Sequence, residues 1–257
     1  MFSWSVRRRV IYLLIAIVIV AGLAAAVAWQ WRPIPSCSDG HQNQDEVGID
    51  CGGSCERVCS SEIRSLRVVW TRILEVGPGQ YDTATLVVNP NRQHGAERFH
   101  YLVRFLDSQG ILVGTRTGEA FINPGESLII YNGRLGVGQR APTQAILEIT
   151  DNPLWRRATA EVPPLDIQIT SFVNTPFPRL IAELTNPTLG VWFDVSIVAL
   201  LSDSGGNAFA VSSTVVDRLE AQSSVEVAFT WPRPFAVADP TISFYPQVSL
   251  SAEPPLN

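Results

Sequence analysis

The sequence predicts a mainly β protein: an N-terminal transmembrane helix, a small disulfide knot and two tandem β-sandwiches. Three observations predict it. Residues Val10–Ala28 carry no charged side chain. All four cysteines fall between Cys37 and Cys59. Beyond residue 65 the chain repeats itself at an offset of 96 to 97 residues, in short alternating runs separated by turn residues.

The helix comes first. At about 1.5 Å per residue, Val10–Ala28 spans about 28 Å, close to the roughly 30 Å hydrocarbon core of a bilayer. Arg7, Arg8 and Arg9 precede the run, whereas Arg32 is followed by Asp39, Asp45, Glu46 and Asp50. The basic flank stays in the cytoplasm, so residues 1–9 are expected inside as a short tail and everything after Trp31 outside. Trp4, Tyr12, Trp29 and Trp31 suit the two membrane interfaces, which extends the anchor to residues 10–31. A cleavable signal peptide ending at the small residues Ala26–Ala28 is the alternative, and it places the rest of the chain in the same compartment.

The knot, residues 37–59, has the spacing C-x13-C-x3-C-x3-C. Outside the cytoplasm an even cysteine count reads as disulfides. Structural zinc sites pair cysteines in two separated knuckles, and redox centres use C-x-x-C; neither pattern is present. Of three connectivities, Cys37–Cys55 with Cys51–Cys59 is favoured, although spacing does not decide it. Asp39, Asn43, Asp45, Glu46 and Asp50 offer oxygen ligands of the kind Ca²⁺ takes, without the order of an EF-hand. The competing reading is that they cap turns in a loop with little core. Gly52 and Gly53 suit a turn with positive φ. The run Cys37, Asp39-Gly40, Asn43, Glu46, Asp50-Cys51-Gly52-Gly53 and Cys55 resembles a small cysteine motif of secreted and surface proteins. That resemblance implies an extracytoplasmic disulfide module and no reaction.

Residues 66–150 and 165–250 form the repeat. Asn89-Pro90 matches Asn186-Pro187, Asp107 matches Asp203, and Leu128 and Ile130 match Val225 and Val227. Each copy opens with a strand (Leu66–Glu75; Leu165–Val173), and a second strand ends at Asn-Pro because proline cannot donate to a ladder. The third strand alternates, with Phe99, Tyr101, Val103 and Phe105 on the inner face of copy one and Phe193, Val195, Ile197 and Ala199 on that of copy two. His100, Arg104, Asp194 and Ser196 are expected outside. An Asp-Gly hairpin turn, two more strands and a closing strand (Gln144–Ile149; Ile242–Val248) complete each copy. Residues 151–164 read as a linker, with Trp155 expected between the domains. The Asn-Pro, the aromatic strand into Asp107 and the Pro124-Gly125-Glu126 turn resemble the FxLYD-type and late-embryogenesis-abundant-type immunoglobulin-like sandwiches. The resemblance implies fold and little about function.

Chemistry is sparse. The three histidines are His41, His94 and His100, and surface positions are expected for the last two. No nucleophile-elbow, zincin or phosphate-loop motif is present, and the glycines from Gly133 onward join strands. Exposed Trp192 would mark a binding face, although core tryptophan is commoner in sandwiches. A net charge of −5, with all 19 basic residues arginine and no basic patch, argues against nucleic acid. The reading is a non-enzymatic, single-pass bacterial envelope protein, N-terminus inside and C-terminus outside, that binds or scaffolds another envelope protein or a surface polymer. No cofactor is expected beyond the calcium considered above. The alternatives are an accessory ectodomain of an envelope enzyme or secretion complex, or a hydrolase whose site is dispersed in sequence.

Overall fold

The structure is a computed structural model that describes residues 4–30, 35–136, 140–158 and 162–249. The chain divides into two compact units, residues 1–55 and 56–257. Trp31 and Arg32 at the expected end of the anchor lie outside the described residues.

In the first unit, helix α1 covers Trp4–Gln30, and Arg7–Val27 is long and apolar enough to cross a membrane. The helix begins earlier than expected, so Arg7, Arg8 and Arg9 are helical, with the Arg8 guanidinium 4.5 Å from the centre of the Trp4 ring. An unbroken apolar run has no breaker to stop the helix at its charged end, and arginine is a good helix former. An apolar helix of spanning length together with disulfides fits a membrane-anchored extracellular protein.

Among the described residues the second unit holds thirteen strands. β1 (Arg67–Gly77), β2 (Gln80–Val88) and β5 (Ser127–Gly136) form one sheet, in the order β1-β2-β5. β4 (Leu112–Ile122), β3 (His94–Leu106) and β6 (Gln144–Ile149) form the facing sheet, in the order β4-β3-β6. β7 (Leu154–Arg157) adds to β3. The second half repeats the plan with β8 (Asp166–Val173), β9 (Arg179–Asn186) and β12 (Ser223–Thr230) in one sheet. Its facing sheet contains β11 (Ala208–Leu219), β10 (Trp192–Ser202) and β13 (Thr241–Gln247). The orders β8-β9-β12 and β11-β10-β13 reproduce those of the first half strand for strand, and all pairings are antiparallel.

The repeated residues are those that fix turns. Asn89 donates through Nδ2 to His94 O (2.8 Å) and Asn123 O (2.9 Å), and its Oδ1 accepts from Asn91 N (3.0 Å). Asn186 donates to Gly190 O (2.7 Å) and Glu220 O (2.9 Å), and accepts from Thr188 N (3.0 Å). One buried amide therefore ties two loops in each sandwich. Asp107 Oδ1 accepts from Gln109 N and Ile111 N, both at 2.9 Å, and Asp203 Oδ1 accepts from Gly205 N and Asn207 N at 2.9 and 2.8 Å. Gly110 and Gly206 close these turns at φ 75° and 77°, where a Cβ would be strained.

The strand faces follow alternation where the backbone stays extended. Phe99, Tyr101, Val103 and Phe105 are buried in the first core with Val87, Leu128 and Ile130. His100 is exposed and Arg104 pairs with Glu148 outside. In the second core Val195, Ile197, Ala199 and Leu201 are fully buried with Leu180, Leu184 and Phe229. Phe193 departs from expectation. Asp194 takes φ 50°, outside the extended region, and this breaks the alternation of faces while the β10–β11 register is kept on both sides of it. Trp192 then packs on the second core, donating from Nε1 to Thr188 Oγ1 (3.0 Å), and Phe193 lies half-buried near Arg218. The expected linker also differs: its residues 154–157 are strand β7, and Trp155 packs on the first core instead of between sandwiches. Its residues 159–161 lie outside the described residues.

The sandwiches meet face to face. Leu74, Ala84 and Ile129 on the outer face of β1-β2-β5 pack with Val198, Leu200, Ala208 and Val211 on the outer face of β11-β10-β13. The described strands of the second unit thus form a four-layer stack of sheets. Arg72 to Asn207 Oδ1 (3.3 Å), Asn123 Nδ2 to Val248 O (2.9 Å), Gln247 Nε2 to Phe121 O (3.0 Å) and Arg233 to Glu75 O cross the junction.

Candidate functional site

The knot is cross-tied by its acids. Cys37 and Cys55 are bonded to one another, Cys51 and Cys59 are also disulfide-bonded, and no cysteine is free. Asp39 accepts from Ser36 N (3.1 Å), His41 N (2.9 Å) and Asn43 Nδ2 (2.8 Å), and these bonds hold its carboxyl below the usual value, that to Asn43 most strongly. Buried Glu46 accepts from Asn43 N (3.2 Å) and Asp50 N (3.3 Å). Both oxygens of Asp50 accept from Gly40 N (3.0 Å), and Asp45 accepts from Ser54 Oγ (2.7 Å). Gly52 and Gly53 take φ 75° and 58°. A segment with this little core satisfies its backbone N–H groups with side-chain oxygens.

Asn43 Oδ1 is buried without a partner, yet no three of the four carboxylates bring oxygens within 4.8 Å of one another among the described residues. The group that does gather is Cys37, Glu46 and Cys55, whose sulfurs are already spent on their disulfide. Glu46 Oε1 lies 3.3 Å from Cys55 Sγ, a contact rather than a hydrogen bond from sulfur, since a disulfide sulfur carries no proton.

A cleft of about 530 Å³ opens where the two sandwiches meet. Gln80, Asp82, Tyr131 and Arg134 line it from the first sandwich, and Thr230 and Trp231 from the second. β2 and β5 carry Asp82 and Tyr131 on their outer faces. Tyr131 donates to Asp82 Oδ2 (3.0 Å), and Arg134 N donates to Oδ1 (2.8 Å). Asp82 is buried, so these bonds replace water around its carboxylate. Burial, and then the Asp82 charge, push the Tyr131 hydroxyl well above its ordinary value. Trp231 is held by its Nε1 bond to Val211 O (2.9 Å). The cleft offers hydrogen-bonding groups beside aromatic surface on a fixed scaffold, the usual composition of a binding site.

Of the histidines, His94 is buried, contrary to expectation. It starts β3 beneath the loops that Asn89 ties, burial lowers its pKa, and its Nε2 has no hydrogen-bond partner. His100 is exposed with carboxylates on both ring nitrogens: Asp151 Oδ2 lies 2.5 Å from Nδ1 and Glu119 Oε2 lies 3.2 Å from Nε2. The Asp151 bond is the main cause of its raised pKa. His94 is the first residue of β3 and His100 lies near its middle.

Glu126 is the other perturbed group. Burial raises its carboxyl from 4.5 to about 7, against opposing bonds from Asn123 and Gln247. Between these values the folded chain holds a proton that the unfolded chain has lost. The contribution to stability is therefore complete below about pH 4.5 and is lost as pH rises through about 7, by roughly 3 kcal/mol. Glu126→Gln is expected to be more stable than the parent at pH 8 and to match it near pH 4.5. Urea midpoints across this range check it, and a constant difference between the two proteins would refute it.

Sequence reasoning missed the cleft, because Asp82 and Tyr131 meet Trp231 only after two sandwiches pack. It also missed the partners of His100. Counting back from the Asp107 turn could have found Glu119, since the β3–β4 hairpin sets His100 directly opposite it.

No protein-family model matches this chain, and no curated protein matches it. Among solved structures, the crystal structure of red sea bream transglutaminase is similar over 73% of this chain and 30% of its own, at 12% identity and a TM-score of 0.26. The chain spans less than a third of that protein's length, and a likeness of this size carries no argument.

Proposed function

We propose that this is a single-pass protein of a bacterial cell envelope, N-terminus in the cytoplasm and knot and sandwiches outside, which binds or scaffolds an envelope protein or surface polymer. The observation that carries the reading is a pair: an apolar spanning helix with Arg7, Arg8 and Arg9 at one end, and oxidised cysteines beyond the other. The repeated pairs of facing sheets support a reading as two tandem sandwiches. The cleft supports binding over catalysis. Both oxygens of its buried carboxylate are already engaged, and the His100 Nε2 faces Glu119 instead of a hydroxyl it could activate.

Protease added to intact spheroplasts is expected to digest the chain beyond the helix. A photo-crosslinker at Gln80, on the cleft rim, is expected to join the chain to an envelope component, and Thr230→Trp, which fills the cleft, to abolish the adduct. Protection from protease until the membrane is permeabilised overturns the topology. Absent cross-linking, or cross-linking indifferent to Thr230→Trp, overturns the cleft as the binding surface.

A further inference from the structure

We propose that His100 and Glu119 form a surface site for a zinc-class divalent ion, with Asp151 as the residue that orients the imidazole. The three come from three strands' worth of rigid scaffold. His100 on β3 and Glu119 on β4 are direct cross-strand partners, and Asp151 follows β6, which pairs with β3 on the other side. Tetrahedral zinc holds imidazole nitrogen and carboxylate oxygen at about 2.0–2.2 Å, which sets two such atoms roughly 3.4 Å apart. Glu119 Oε2 and His100 Nε2 are 3.2 Å apart.

The second requirement concerns the other ring nitrogen. A metal-bound histidine nearly always donates its remaining N–H to a carboxylate, which fixes the tautomer and the ring plane. Asp151 does this at His100 Nδ1. Asp151 is itself fixed, because its Oδ1 accepts from His100 N at 2.9 Å and Thr150 N donates to His100 O at 3.0 Å. The arrangement leaves Nε2 as the atom available to metal. Imidazole with carboxylate suits zinc and its transition-metal neighbours, not calcium or magnesium.

The site is open. His100 and Glu119 side chains are 49% and 57% exposed, and apart from Asp151 on the other ring nitrogen no His, Cys, Asp or Glu adds a third ligand atom to them among the described residues. The remaining positions of the ion fall to water or to an incoming carboxylate or imidazole. A proton competes for the same Nε2, and with it bound the group is an imidazolium between two carboxylates. Metal and proton thus exclude one another.

The test uses the tag-free full chain in detergent, stripped with chelator and titrated calorimetrically with ZnCl₂ at pH 7.5 and pH 5.5. One equivalent is expected to bind at pH 7.5, weakly compared with a closed four-ligand site, and to be lost at pH 5.5. His100→Asn is expected to abolish uptake, Glu119→Gln to weaken it further than Asp151→Asn, and Asp151→Asn to weaken it by about 10- to 100-fold. The ¹⁵N resonance of His100 Nε2 should shift on adding zinc. No uptake at millimolar zinc, or equal uptake by the parent and His100→Asn, overturns the site. Since all three side chains are exposed, unchanged thermal unfolding of the variants separates a lost site from a lost fold.

Discussion

Asn186→Ala is expected to cost about 4 kcal/mol of stability, more than most single changes in a domain of this size. The side chain is fully buried and makes bonds at both ends. Its amide donates to Gly190 O and Glu220 O, and its oxygen accepts from Thr188 N and Thr188 Oγ1. Alanine removes the partner from two carbonyls and a backbone N–H that water reaches poorly. Each buried group left unpaired costs about 1–3 kcal/mol. Asn186→Asp is not a rescue, because a carboxylate oxygen would then face the two carbonyls. Asn89→Ala in the first sandwich is expected to behave alike, since it ties His94 O and Asn123 O in the same way. Urea unfolding of the detergent-solubilised chain measures both. A loss below about 1 kcal/mol would mean that water replaces the amide.

The same residues explain what could be read from the sequence. Asn89 with Asn186, and Asp107 with Asp203, stand out in the repeat because each bonds the backbone of its own turn in the same way in both copies. Alternation is legible for the same reason: burial imposes a period of two on any strand with one buried face. It failed at Phe193, because Asp194 takes a positive φ that a linear count does not contain. The acids of the knot were legible as a set and ambiguous in role, since oxygen that caps a backbone N–H and oxygen that binds calcium use the same residue types. The cleft and His94 were not legible at all. Each depends on which loop or sheet covers the residue, and that is decided by packing between segments far apart in sequence. One signal was present but unread: Val198–Leu201 is apolar at four consecutive positions, which means both faces of β10 are covered.

That double burial leads to the second large effect. Leu200→Arg is expected to separate the two sandwiches while leaving each folded. Leu200 occupies the repeat position of Arg104, at the offset of 96 that aligns Asp203 with Asp107. In β3 the outer face meets water, and Arg104 pairs there with Glu148. In β10 the outer face meets Leu74, Ala84 and Ile129 of the neighbouring sheet, and Leu200 is 4% exposed. An arginine there would lie among apolar side chains, and a buried charge without a partner costs about 3–5 kcal/mol. Parting the sheets relieves this cost. Each sandwich retains its own core, with Val103 and Phe105 in the first and Ile197 and Leu201 in the second, so folding of the halves survives. Calorimetry is expected to show one unfolding transition of residues 56–257 become two, and limited proteolysis to cut between residues 158 and 165. A single transition that merely moves to lower temperature would show that the sandwiches are not independently stable, and that the duplicated halves fold only as a pair.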